Sequence, residues 1–559
     1  MKFVPFVRKP LPFLLAMALT TACGGGGGGD SGGGEQPVTP TTHAVTVNTA
    51  AGSADSRLAC YKGNGVGDTA CGLRMYQIMV EAFANGDDSI NYGVGYGPSD
   101  HKGDLQGIIN SLDYIKSTGV NALWLTPVFD SCGNGVTDKR LAATGYYACD
   151  YFNVDPFFGS NAKLKELVDA AHAKGLYVFL DGVFGHAITN VLPVAPVSGV
   201  RPTMKAATTG YTVDYTQANS LTFFTEVATH YIKNYGIDGW RLDQSYQVPV
   251  EAWNSIRTAV EAAAAARAAA GETWGTLGYM VGEDWNSQDN IATTTYGTVS
   301  LPGLKSAFDF PLHYGLVQAV GAESNGATGD AKSLFASWNN GSVYPAFAMP
   351  NLFLGNHDLP RFGDLLQRSK LGDIGDDAYW LRHKAAFSFM AATSGPMTIY
   401  YGEEIGDQLD NYAAQVTTDC SGMGVCDDHV SRTTGKIDGV TSGFTPSARQ
   451  ADLKNYLASL SALRDAHPAL SNGVRTHIFS DTNVYLDRKD NFTANDHVLF
   501  VLNTKTTPAE ITLSATALGS ADTATLTDLQ AGGSALVATG GNYTITVPAL
   551  TARFFSISE

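Results

Sequence analysis

Basic residues are scarce in this chain. Its 559 residues hold 36 Lys and Arg against 53 Asp and Glu, a formal charge of −17. That balance argues against a polyanion such as nucleic acid as a partner. Charged residues are few altogether, at 16%, while hydrophobic ones make up 44%, the composition of a globular protein and not of a disordered one. There are only seven cysteines, and none stands in a C-x-x-C spacing, so a zinc site is not indicated. The apolar run "LPFLLAMALT" (11–20) falls short of the roughly 20 residues that a membrane-spanning helix needs.

That short run reads as a targeting segment. It follows the positively charged "MKFVPFVRKP" and ends at "TTAC", after which comes "GGGGGGDSGGGEQPVTPTT". A cysteine after a small residue, followed at once by a Gly-rich tether, resembles a bacterial lipoprotein signal. The resemblance implies a signal peptide over 1–22, a lipidated Cys23, and a flexible linker over 23–59 with nothing to bury in its Gly-rich part. It also implies an exported protein of the bacterial cell envelope, held through its N-terminal lipid anchor at the membrane, on the periplasmic or the outer face. Setting Cys23 aside leaves six cysteines, for which an exported protein favours disulfides. Fifteen connectivities are open, and the nearest-neighbour set is Cys60–Cys71, Cys132–Cys149 and Cys420–Cys426.

The length exceeds a usual single domain, so a large domain with at least one small companion is expected. Between 74 and 405, short apolar runs alternate with amphipathic stretches. The runs are "RMYQIMV", "NALWLTP", "YVFLDGV", "GWRLD", "YMVGED", "SAFDF", "NLFLGNHD" and "MTIYYGEE". Helical patterns such as "NAKLKELVDAAHAKG" and "SLTFFTEVATHYIKNYG" lie between some of them, each closing on a Gly as a helix C-terminus does. Eight strand–helix units predict an α/β fold, a (β/α)8 TIM barrel over 60–472 with a short excursion at 187–213 after the third strand. From 473 to 559 the texture becomes short Thr- and Val-rich strands such as "HVLFVLN" and "EITLSA", which predict a C-terminal β-sandwich domain.

Polar residues gather at the C-terminal ends of the barrel runs, where such barrels place their active sites. In "GWRLD", Arg241 and Asp243 stand two apart, and on a strand they share a face. Asp243, Glu283 and Asp358 would converge from three strand ends on one pocket. Glycosidic cleavage needs such a set: one ionised carboxylate to attack the anomeric carbon and one protonated carboxyl to release the leaving oxygen. A third raises the acid's pKa by like-charge proximity and binds sugar hydroxyls.

Four motifs now carry a specific resemblance. "DGVFGH" (181–186), "GWRLD" (239–243), "VGED" (281–284) and "GNHD" (355–358) occur in the order and spacing of the α-amylase family of glycoside hydrolases. "GYYACDYFNVDPFFG", "GDLQGI" and "IYYGEEIG" are also similar to that family. The resemblance implies Asp243 as nucleophile, Glu283 as acid/base and Asp358 as a residue that binds and distorts the reacting sugar. It further implies Arg241 holding Asp243 ionised, His186 and His357 on sugar hydroxyls, Tyr146 stacking on the sugar, and Asp181 supporting Arg241.

The chain departs from the family pattern in two places. Gly185 stands where many members carry the Asn that helps hold calcium beside the third strand. Calcium is expected instead at "ANGDDSINYG" and "KGDLQG", where Asn85, Asp87, Asn91 and Asp104 offer hard oxygen ligands; no organic cofactor is expected. Second, Tyr246 and Gln247 replace a Lys-His pair that contacts the leaving side of the substrate. The expected function is retaining hydrolysis of α-1,4 bonds in starch and maltooligosaccharides. Degradation of maltodextrin, cyclodextrin or pullulan, or 4-α-glucan transfer, is the alternative within the family. A non-catalytic glucan-binding lipoprotein is the alternative from another class.

Overall fold

The computed structural model describes residues 42–558 apart from 51, 53, 65–67, 95–97, 133–141, 188–192, 208–209, 322–329, 340–342, 411 and 413–429. The leader, Cys23 and the Cys420–Cys426 pair lie outside the described residues. Eight strands close a parallel barrel in sequential order: β1 (Arg74–Ile78), β2 (Ala122–Leu125), β3 (Tyr177–Gly182), β4 (Gly239–Leu242), β5 (Tyr279–Gly282), β6 (Ser306–Phe308), β7 (Met349–Phe353) and β8 (Met397–Tyr400). Each coincides with one of the eight apolar runs.

Near-continuous burial explains why these runs are not amphipathic. Strand neighbours cover their edges, helices cover the outer face, and the inner face fills the barrel. Met75, Trp124, Phe179, Tyr279, Val281 and Phe353 pack together inside. The helix Ala218–Tyr235 shows the complementary pattern: Phe223, Phe224, Val227, Ala228, Tyr231 and Ile232 are its buried stripe, at the three- and four-residue spacing of one helical face. It ends at Gly236, whose φ of 77° is left-handed and whose N–H reaches back to Ile232 and Tyr231. The Ala-rich stretch "EAAAAARAAA" (261–270) forms the end of the helix Val250–Ala269 and its C-cap Ala270.

After β3 the chain makes the expected excursion, a three-stranded sheet of His186–Ala187, Met204–Ala206 and Tyr211–Val213. C-terminal to the barrel, a three-stranded and a seven-stranded sheet share a core that includes Val45, Ile478, Leu486, Val501, Ile511, Ile545 and Phe555. Val45 belongs to a strand, His43–Val47, that pairs in parallel with Ala509–Leu513. Ala54 and Asp55 also pair with Thr476 and Arg475. Sequence placed both segments in the 23–59 linker; the structure makes them part of the C-terminal domain, because Val45 and Val47 alternate onto its core. Disulfides join Cys60 to Cys71 and Cys132 to Cys149, two of the three nearest-neighbour pairs. No helix among the described residues is long and apolar enough to cross a membrane.

Candidate active site

The strand register builds the centre of the site. Arg241 of β4 lies directly opposite Asp181 of β3, and both point into the barrel mouth. Arg241 Nη1 donates to Asp181, lying 2.8 and 2.7 Å from its two oxygens, a charge-assisted contact that anchors the guanidinium by one nitrogen. From that fixed position the same Nη1 donates to Asp243 Oδ1 at 3.2 Å, and Nη2 lies 3.0 Å from Glu283 Oε2. One buried arginine, 1% exposed, therefore holds the carboxylates at the ends of β4 and β5 side by side. Trp124 and Tyr146 complete its cage: each donates to Asp181 Oδ2, at 3.2 and 2.8 Å, and the guanidinium carbon lies 4.9 Å from the Trp124 ring centre.

Glu283 receives one further hydrogen bond from a strained position. Gln244, the residue after Asp243, adopts φ 40° and ψ 53°, a left-handed conformation uncommon for a non-glycine residue. Its backbone N–H thereby donates to Glu283 Oε2 at 3.1 Å. Strain of this kind collects where function requires one geometry.

Asp358 enters from the loop after β7. His357 Nε2 lies 3.1 Å from its Oδ2, and Arg432 Nη2 donates to its Oδ1 at 2.8 Å. Arg432 also donates through Nε to the His357 carbonyl at 3.0 Å, so it grips both residues. Gln77 of β1 places its amide Nε2 2.7 Å from His357 Nδ1. An amide nitrogen only donates, which leaves the His357 proton on Nε2, facing Asp358. The Tyr146 ring lies parallel to His357, with centres 5.3 Å apart.

On the other rim, His186 Nδ1 pairs with Gln247 Oε1 at 2.8 Å, and its Nε2 lies 3.8 Å from Asp243 Oδ2. Gln247 in turn donates to Gln244 Oε1 at 2.7 Å, and so does the Tyr246 hydroxyl. The two departures from the family pattern touch one another. A Cβ at Gly185 would sit 2.6 Å from both Cβ and Oε1 of Gln247; a glycine at 185 is what lets Gln247 reach His186. Tyr246 is 45% exposed and Trp285, two residues past Glu283, is 46% exposed. Trp285 is held flat against Phe310, with ring centres 5.4 Å apart. Two open aromatic faces thus follow two of the three carboxylates in sequence.

The electrostatics separate the carboxyls. Burial raises Glu283 to about 8, Arg241 opposing it and the neighbouring Asp243 and Asp358 adding to the rise. Burial likewise raises Asp243 to about 7, against the pull of Arg241. The shared proton therefore stays longest on Glu283. Asp358 goes the other way: although burial opposes it, His357, Arg432 and Arg241 hold it below the usual carboxylate range. Burial depresses His186, which keeps its imidazole neutral. A carboxylic acid beside an ionised carboxylate in one dry pocket is an acid–nucleophile pair for acetal chemistry.

At the expected calcium loop the side chains bond one another and the backbone, through atoms other than Asp87 Oδ2 and Asn85 Oδ1. Asp104 caps the helix Leu105–Ser117; its Oδ1 accepts from Gly107 N–H and its Oδ2 from Gly86 and Asp87 N–H. Asp87 Oδ1 accepts from Ser89, and Asn85 donates to Asp88. Asn91 lies beyond Ile90, with its Oδ1 near Gly93. Among the described residues no group of three or more His, Cys, Asp or Glu is placed to hold a metal ion.

Sequence reasoning missed Arg432, Gln77, Gln244 and Trp285. Gln244, next to "GWRLD", and Trp285, next to "VGED", had a positional signal that could have found them.

Known proteins resemble this chain in sequence and fold. The family model for the α-amylase catalytic domain matches residues 77–195 and 211–466. A crystal structure described as AmyP in complex with maltose is 48% identical, superposes with a TM-score of 0.81, and covers 87% of this chain and 97% of its own. A cyclomaltodextrinase of Geobacillus thermopakistaniensis is 27% identical over 79% of this chain and 71% of its own length. An α-amylase of Streptomyces lividans is 28% identical over 82% of this chain, which spans 57% of that enzyme's length.

Proposed function

The chain belongs to the α-amylase catalytic-domain family of glycoside hydrolases, and from that premise we propose that it hydrolyses α-1,4-glucosidic bonds of starch and maltooligosaccharides with retention of configuration. The observation that carries this reading is the single guanidinium of Arg241 spanning Asp243 and Glu283. Retaining enzymes keep their two carboxyls only about 5 Å apart, and one shared arginine enforces such closeness.

In the first half-reaction Asp243 attacks the anomeric carbon as the bond to the leaving sugar breaks, and the leaving oxygen takes the Glu283 proton. In the second, Glu283 takes a proton from water, the hydroxyl adds to the same carbon, and the bond to Asp243 breaks. Asp358, kept ionised by His357 and Arg432, accepts hydrogen bonds from sugar hydroxyls and favours the charge that develops on the ring. His186, oriented by Gln247, and Tyr146, aligned with His357, bind the sugar at the cleavage point.

A second reading, preference for maltodextrins or cyclodextrins or transfer to another sugar, is favoured by the leaving side. Tyr246 offers an open ring there in place of the usual lysine, and a cyclomaltodextrinase is among the relatives. A time course of products from starch, maltoheptaose, cyclodextrin and pullulan separates these. Early longer oligomers indicate transfer, and faster opening of cyclodextrin than of starch indicates the second reading. Asp243→Asn is expected to remove turnover while keeping the fold. A fully active variant, or a parent releasing no reducing sugar from any of these glucans, refutes the assignment.

A further inference from the structure

On the face of the barrel opposite the mouth lies a cleft of about 430 Å³, within the range of about 300–1,000 Å³ that ligand clefts occupy. It sits where three helices end just before β3, β4 and β5: Asn161–Ala173, Ala218–Tyr235 and Val250–Ala269. Its aromatic wall is Trp274. That ring is partly exposed and lies flat on His172, with centres 4.6 Å apart and planes 7° from parallel.

The wall is rigid. His172 Nε2 pairs with Asp238 Oδ2 at 2.9 Å, and Gly275 N–H donates to Asp238 Oδ1 at 2.8 Å. Asp238 is fully buried, so one carboxylate pins both the ring under Trp274 and the residue after it. Arg267 Nε donates to the Trp274 carbonyl at 3.1 Å. Gly275 has φ 69°, and a Cβ there would lie 2.6 Å from Arg267 Nε, so the loop tolerates no larger residue. An aromatic face fixed this firmly loses little freedom when something stacks on it.

The charges of the lining cancel. Lys165 pairs with Asp169 at 2.5 Å, and Arg267 lies 3.5 Å from Glu272. Neither a phosphate nor a metal ion gains from such a wall. A partly exposed indole ringed by balanced donors and acceptors, with the Asn234 amide among them, matches a neutral polyhydroxylated ring. One side of such a ring is apolar C–H surface and its rim is hydroxyl. We propose that this cleft is a second, non-catalytic glucan-binding site, with Trp274 as the stacking face for one or two glucose units. The proposal rests on the α-glucan reading of the active site for the identity of the sugar. Because the cleft faces away from the mouth, a short oligosaccharide cannot occupy both. Only a polymer or a granule engages the two together, and the site serves attachment to polymeric substrate.

The test uses the full chain in two backgrounds. In the Asp243→Asn background, retention in native gels containing soluble starch is expected to weaken about three- to tenfold on Trp274→Ala. Asn234→Arg, which leaves the Trp274–His172 stack intact and fills the cleft, is expected to do the same. In the active background both variants should keep parental kcat/KM on maltoheptaose and lose rate on granular starch. Unchanged retention in Asn234→Arg, with its melting temperature intact, overturns the second site whether or not Trp274→Ala folds. Starch-independent migration of an otherwise active parent also overturns the second site while leaving the proposed function standing. A parent inactive on every glucan overturns the proposed function instead.

Discussion

The contact between Gly185 and Gln247 makes the sharpest quantitative prediction. The perturbation is Gly185→Ala, one added methyl. The backbone at 185 does not fall in the left-handed region, so any cost comes from space and not from conformation. The methyl would meet Gln247 Cβ and Oε1, both at 2.6 Å, and a Cβ cannot swing away as a side-chain tip can. Overpacking of this kind costs about 1–3 kcal/mol, a fall of a few degrees in melting temperature. Displacing Gln247 also breaks its hydrogen bond to His186. A neutral hydrogen bond contributes about 0.5–1.5 kcal/mol, so kcat/KM on maltoheptaose should fall about two- to twelvefold. Gln247→Gly alone should reproduce the loss of activity, since it deletes the same hydrogen bond, with only the modest cost of a glycine in a turn. The double variant should regain stability relative to Gly185→Ala but not activity, because the clash is gone while His186 remains unoriented. Thermal melts and initial rates on the four proteins suffice. A Gly185→Ala protein with parental melting temperature and parental kcat/KM refutes the contact and the coupling drawn from it.

The pH profile follows from the site's carboxyls. Turnover needs Glu283 protonated and Asp243 ionised, so kcat/KM should describe a narrow bell, with limbs near 7 from Asp243 and near 8 from Glu283. Stability carries the opposite sign from the usual carboxylate. The folded Glu283 keeps a proton that the unfolded chain releases, so stability is fully present below the ordinary carboxyl range and is lost as pH rises towards 8. Glu283→Gln should therefore melt with less dependence on pH between 5 and 8 than the parent, and an equal dependence refutes the shift. Arg432→Ala removes a charged hydrogen bond worth about 1.5–3 kcal/mol. It should lower kcat about ten- to a hundredfold without moving the acid limb, which Asp243 sets near 7, and Arg432→Lys should recover part of the loss. An Arg432→Ala protein with parental kcat sinks that role. If the loop of Asn85, Asp87, Asn91 and Asp104 holds calcium, dialysis against a chelator should lower the melting temperature and added calcium should restore it; an unchanged melting temperature would contradict this.

What could be read from the chain beforehand was what lies close together along it. Each barrel strand is a short buried run, and the helices after β2 and β3 close on Gly175 and Gly236, so eight strand–helix units were countable without coordinates. Arg241 and Asp243 share a face because they are two apart on one strand, a relation that needs no tertiary knowledge. The strand His43–Val47 was missed because five alternating residues in a Thr-rich region specify little alone, and its partner Ala509–Ser514 lies at the other end of the chain. The calcium loop stays a proposal for a related reason: Asp and Asn beside Gly are what a turn and a helix cap require as much as a cation does.

The unread part of the site follows the same logic. Arg432 reaches Asp358 across 74 residues from a stretch with neither strand nor helix period, so nothing in its neighbours marks it. Gln77 sits within an apolar strand run, where a single amide reads as tolerated noise until His357 is found against it. Yet both act on a residue the motifs did reveal. The motif residues supply the reacting carboxyls, and the residues without a motif decide how those carboxyls are charged and aimed: Arg432 keeps Asp358 ionised, Gln77 fixes the His357 proton, and Gln244 bends its backbone to reach Glu283. A third group, Gly185, Tyr246, Gln247 and Trp285, lies on the rim of the site, and in it one position that departs from the family pattern requires another. If Gln247 reaches His186 only because residue 185 lacks a side chain, the two departures form a single change, and restoring either family residue alone should harm the enzyme more than restoring neither.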